Sequence, residues 1–100
     1  MDIDDLNDKA RRFFEDNGFK SGSYALLQET KIWKRAKTLH ILNRLDNGRL
    51  YCDVCDKRIR KPIKCVMHHY EYNWDNIFDG NIIGLVHYKC HQKQHIFGLY

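Results

Sequence analysis

The sequence predicts an α+β fold: helices through the N-terminal half, then short strands and a closing helix. Three observations predict it. Apolar residues recur at helical spacing as far as Leu45, Asn47-Gly48 then breaks the chain, and all four cysteines lie beyond that break. The expected organisation is a helical extension over 1–48, with a basic second helix, and a second unit over 49–100.

The first helix is expected over 4–17. Leu6, Ala10, Phe13 and Phe14 mark its apolar side, acidic residues open it where the helix dipole favours them, and Gly18 ends it. A second helical region runs from about Ser23 to Leu45, as one helix or as two joined near Thr30. Tyr24, Leu26, Leu27, Ile32, Trp33, Ala36, Leu39, Leu42 and Leu45 form its stripe, and Trp33 is expected in the core. Lys31, Lys34, Arg35, Lys37 and Arg44 fall mostly off that stripe, and His40 is expected at the surface. From Arg49, β-like pieces surround the first cysteines and run from Ile63 to Tyr70. A polar, aromatic loop follows over 71–80, and a helix from Leu85 to about Ile96.

Charge is distributed unevenly. Residues 1–30 carry 4 basic and 7 acidic side chains, residues 31–64 carry 11 and 3, and residues 65–100 carry 2 and 3. The middle third is a basic block of the kind that attracts phosphate backbones. No apolar run approaches the ~20 residues of a membrane span, and the acidic opening has no secretory h-region after it. The expected location is therefore cytoplasmic, where thiols bind metal rather than pair as disulfides.

Cys52-Asp53-Val54-Cys55 is a C-x2-C knuckle, and His87-Tyr88-Lys89-Cys90 offers H-x2-C to close it. Together they make a Cys3His set, a usual composition for structural zinc. Cys65 competes with His87 for the last place; the spacing favours His87, leaving Cys65 as a small buried hydrophobe. A redox C-x2-C would need a βαβ context that is absent.

Between the knuckles lies His68-His69, and after them His91 and His95. A helix puts His91 and His95, at i and i+4, on one face, where they can share a metal ion. His68 at a strand end can be a third ligand. Strand alternation turns His69 the other way, beside the ion without binding it, a fitting place for a general base.

The order C-x2-C, His-His, Asn, Cys-His resembles the HNH endonucleases, and the tail His91-x3-His95 is similar to the ending of the colicin DNases. The resemblance covers about residues 50–96. It implies a ββα-metal fold, two antiparallel strands and a helix gripping an ion. It also implies His68, His91 and His95 as ligands of a catalytic Mg2+, Mn2+, Ni2+ or Zn2+, with His69 as base. Asn81 would be the middle Asn that braces it, with Asn76 and Asp79 as alternatives. His87 departs from the family, whose zinc-bearing members usually place Cys there. A helix starting early would also align His87 with His91 and His95.

The function implied is hydrolysis of DNA with low sequence specificity, leaving 5′-phosphate and 3′-hydroxyl ends, in a phage-type or similar free-standing protein. Arg58, Arg60, Lys61 and Lys64 would hold the DNA backbone, and Lys34 and Arg35 would extend the track. The N-terminal helices could dock a protein partner. The competing reading is a non-catalytic zinc module that binds nucleic acid or protein.

Overall fold

The computed structural model describes residues 2–97, with side chains as far as Lys93. Three helices, α1 (Ile3–Asn17), α2 (Ser21–Leu27) and α3 (Lys31–Arg44), precede two small antiparallel sheets and a final helix, α4 (Tyr88–Phe97). The sheets are β1 (Leu50–Tyr51) with β2 (Arg58–Ile59), and β3 (Val66–His69) with β4 (Ile83–Val86). The fold is thus α+β, helices first. No helix among the described residues is long and apolar enough to cross a membrane.

Local chemistry accounts for each helix boundary. Asp2 caps α1 by accepting from the Asp5 backbone N–H at 2.9 Å, and the Asp5 carboxylate answers to the Asp2 N–H. Gly18, at φ 100°, ends the helix with its N–H on the Phe14 carbonyl. The second helical region is two helices, and the joint is at Thr30. Its hydroxyl donates to the Leu27 carbonyl at the end of α2 and accepts from the Trp33 N–H at the start of α3. Asn47 and Gly48, at φ 53° and 75°, form the two-residue turn after α3, closed by paired backbone hydrogen bonds between Asp46 and Arg49.

Three expectations are corrected. The helix expected from Leu85 begins at Tyr88, because residues 83–86 are a strand paired with β3. Every residue of β4 is buried, so its sequence carries no polar alternation to mark it as a strand. Residues 62–64 are a 3-10 turn, so the β-like run from Ile63 narrows to Val66–His69. His40 is buried rather than at the surface, with Nε2–H donating to the Phe78 carbonyl at 2.9 Å. The 70–82 segment folds back over α3 and supplies an acceptor there.

The core runs through both halves of the chain. Phe14 of α1 is fully buried and meets Trp74 edge to face at 5.0 Å. Trp33 of α3 packs against Phe78 and His69. Asn7, buried in α1, accepts the Phe78 N–H at 2.8 Å, tying the loop to the helices.

Two predictions follow from this packing. Phe14→Ala should cost about 3–5 kcal/mol in urea unfolding, the usual range for a fully buried phenylalanine; a loss under about 1 kcal/mol would contradict the packing described. Burial holds the His40 pKa below its ordinary value, against the Phe78 carbonyl, which favours the charged form. The folded protein therefore binds fewer protons than the unfolded chain below about pH 6.5, so stability is full above that pH and falls as pH drops. His40→Gln, which keeps an N–H for Phe78, should lose less stability than the parent between pH 7 and pH 5. Equal losses would contradict the assignment.

Candidate metal centre and its neighbouring cavities

The first knuckle is a tight loop between β1 and β2. The Asp56 N–H bonds the Cys52 carbonyl, the Cys52 N–H bonds the Lys57 carbonyl, and Asp56 takes φ 62°. The loop is stitched to β4: the Asp53 N–H donates to the Leu85 carbonyl at 3.0 Å, and the Asp53 carboxylate accepts from the Leu85 N–H at 2.8 Å. Arg44 reinforces that seam by pairing with the Asp53 carboxylate and donating to the carbonyls of Ile83 and Gly80. The second knuckle is where β4 becomes α4. The His87 carbonyl accepts the first helical N–H, from His91.

These connections gather four donors. The Sγ atoms of Cys52, Cys55 and Cys90 and a ring nitrogen of His87 all lie within 4.8 Å of one another. His87 Nδ1 is 3.4 Å from Cys55 Sγ and 4.0 Å from Cys90 Sγ. Those distances bracket the edge of about 3.6 Å expected between sulfur and nitrogen ligands of tetrahedral zinc. His87 Nε2 faces the Arg58 carbonyl at 3.3 Å. A carbonyl only accepts, so Nε2 carries the proton and Nδ1 keeps its lone pair for a metal.

The thiols are electrostatically matched to a cation. Burial pushes the Cys52 thiol up, but the backbone N–H groups of Cys55, His87 and Val54 outweigh it and hold the group at about 7. Burial, together with the neighbouring Cys52 and Cys55 sulfurs, pushes Cys90 up to about 11. The Cys90 thiol thus resists ionising beside its neighbours, and a bound divalent cation would relieve that conflict. Cys65 lies outside the cluster, buried in the core, with its thiol pushed up by burial.

Beyond the cluster, β3 and α4 bring His68 and His91 together, with ring centroids 5.1 Å apart. The third expected ligand, His95, has its side chain outside the described residues. His68 is opposite Gly84 on β4, and Tyr70 lies over that position. A Cβ on Gly84 would meet the Tyr70 hydroxyl at 2.2 Å, so a side chain there would displace the ring.

His69 points to the other face of β3 and is buried. Its Nε2–H donates to the Ile77 carbonyl, so Nδ1 bears the lone pair and accepts the Tyr24 hydroxyl proton at 2.9 Å. Burial pushes its pKa down to about 4, with the Ile77 carbonyl opposing and His40 adding to the shift, so the ring is neutral near pH 7. The brace on this imidazole is therefore the Ile77 carbonyl. Asn81 is exposed on a 3-10 turn, where Asp79 accepts its N–H; Asn76 is exposed as well. His68, His69 and His91 line one cavity of about 550 Å3 with Tyr24, Gln28, Trp33, Lys37, Tyr70, Glu71 and Tyr72.

A second groove, of about 670 Å3, runs against the thiol cluster. Arg58, Arg60, Lys61 and Lys64 line it, joined by Lys57, Lys89 and Lys93, and no acidic residue lines it among the described residues. Lys34 and Arg35 are exposed on α3 and take no part in it. Sequence reasoning missed Lys89 and Lys93, which reach the groove only because α4 starts at the second knuckle. It missed Tyr24 because 45 positions separate it from His69. No family model, curated protein or solved structure matches the chain.

Zinc withdrawal should test the cluster directly. Chelation should lower the melting temperature and collapse the amide dispersion of residues 50–93, and added zinc should restore both. His87→Ala and Cys90→Ser should lose zinc, whereas Cys65→Ala should keep it. Retention of zinc by both His87→Ala and Cys90→Ser would refute the ligand set.

Proposed function

We propose that this chain is a zinc-stapled, metal-dependent nuclease of the HNH type that hydrolyses DNA phosphodiester bonds. The observation that carries the reading is the approach of His68 on β3 to His91 on α4, in a cavity that also contains the neutral His69. The order β3, β4, α4 supports it, because it is the ββα arrangement that the HNH resemblance implies. Two imidazoles that each bind one ion at about 2.0–2.1 Å have ring centres about 4.5–5.5 Å apart, which fits the 5.1 Å between His68 and His91. An ion held there would stabilise charge developing on a phosphate and its leaving oxygen.

The chain's own residues suggest how the other roles divide. The Ile77 carbonyl fixes the tautomer of His69 and leaves Nδ1 as its one basic atom. For His69 to act as base, the attacking water takes the place on Nδ1 that the Tyr24 hydroxyl holds. The cations of the groove beside the knuckle would hold phosphates without reading sequence.

One observation favours the non-catalytic reading: His69 is enclosed, with both ring nitrogens engaged. A binding module would retard DNA in a gel and leave it intact. The nuclease should nick supercoiled plasmid with Mg2+, Mn2+ or Ni2+, lose that activity to chelator, and lose about a hundredfold or more in His69→Ala. Intact plasmid with every metal, or unchanged nicking in His69→Ala, would overturn the assignment.

A further inference from the structure

We infer that the histidine cavity receives an unpaired nucleobase, so that the preferred substrate is single-stranded DNA. The inference deepens the nuclease reading, on which it rests for placing a scissile phosphate near His68 and His91.

The two openings differ in chemistry. Among the described residues, seven basic side chains and no acidic one line the groove beside the knuckle, so its charged rim suits phosphates. The cavity is different: its lining includes one lysine and one glutamate among the described residues, and its walls are largely aromatic. The lysine, Lys37, already donates to the Ile63 carbonyl at 2.9 Å. Glu71 at the lining can accept from the amino groups of a base. Gln28, exposed beside it, offers both a donor and an acceptor.

Exposed aromatic rings line the cavity and form a cluster at its edge. Tyr70 and Tyr72, both lining the cavity, are 46% and 51% exposed, so their rings are reachable from solvent. Tyr72 lies flat on Trp74, 5.2 Å between centroids and 6° between planes, and Tyr24 meets it at 69°. A stacked aromatic pair beside a cavity of about 550 Å3 offers a nucleobase a surface that paired bases inside a duplex cannot use. Cys65, buried just before β3, lines both the cavity and the groove, so the two openings are adjacent. A strand with its phosphates on the cations could therefore turn one base toward the tyrosines.

The test measures binding without added divalent metal, on the zinc-loaded chain, by anisotropy of labelled oligonucleotides. Three probes of equal length are used: a single strand, the same strand with abasic sites, and the duplex. The single strand should bind about fivefold to a hundredfold more tightly than the abasic strand, the range one stacked base supplies. Tyr72→Leu should reduce the single strand to the abasic level, and Tyr72→Phe should bind like the parent. Equal affinity for single and abasic strands, preference for the duplex, or undiminished discrimination in Tyr72→Leu would overturn the inference. Plasmid nicking is read separately. A protein that discriminates bases but never nicks fails as a nuclease while the base site stands. One that nicks without discriminating loses the base site alone.

Discussion

The Cys3His cluster is the constraint on which the C-terminal half of this molecule depends. That half has little hydrogen-bonded sheet: β1 and β2 pair over two residues each, β3 and β4 over four. Hairpins of that size are marginal alone. A metal on the cluster would join residues 52 and 55 to residues 87 and 90, closing a loop that contains β2, β3, the 70–82 segment and β4. The cluster also sets the point where β4 stops and α4 starts. The position of His91 opposite His68, and of Lys89 and Lys93 along the groove, follows from that junction. Arg44 and Asp53 then hold the first knuckle against the edge of β4, so α3 is tied to the same seam.

The N-terminal helices contribute to the cavity as well as to the core. Tyr24 comes from α2, and Trp33 and Lys37 from α3, yet all three line the space in front of His68 and His69. The Tyr24 hydroxyl bonds the same imidazole that the Ile77 carbonyl orients from the opposite side. The cationic groove and the nearly neutral aromatic cavity share Cys65 in their linings.

Much of this was legible in the sequence because the signals were local. Helical spacing, acidic residues at the start and Gly18 at the end mark α1, Thr30 marks the joint, and the two knuckles announce a metal-ligand set. His87 rather than Cys65 follows from its three-residue step to Cys90. What was not legible depends on partners distant in the chain. The run Ile82 to Val86 is apolar throughout, so periodicity could not tell a buried strand from the start of a helix. His40 reads as one more polar residue of a basic helix, and only the loop carbonyl of Phe78 explains its burial. Asn81 matched a pattern by order, whereas the imidazole brace is a backbone carbonyl, which no side-chain motif records. The tyrosines of the 70–82 segment gave no sign of which rings would be left exposed.

X-ray absorption at the zinc edge, on protein purified with its metal, tests the central claim most directly. The account predicts one zinc per chain with three sulfurs at about 2.3 Å and one nitrogen at about 2.0 Å. A four-sulfur shell, which would bring in Cys65, a shell dominated by oxygen, or protein that folds stably with no zinc at all would contradict it.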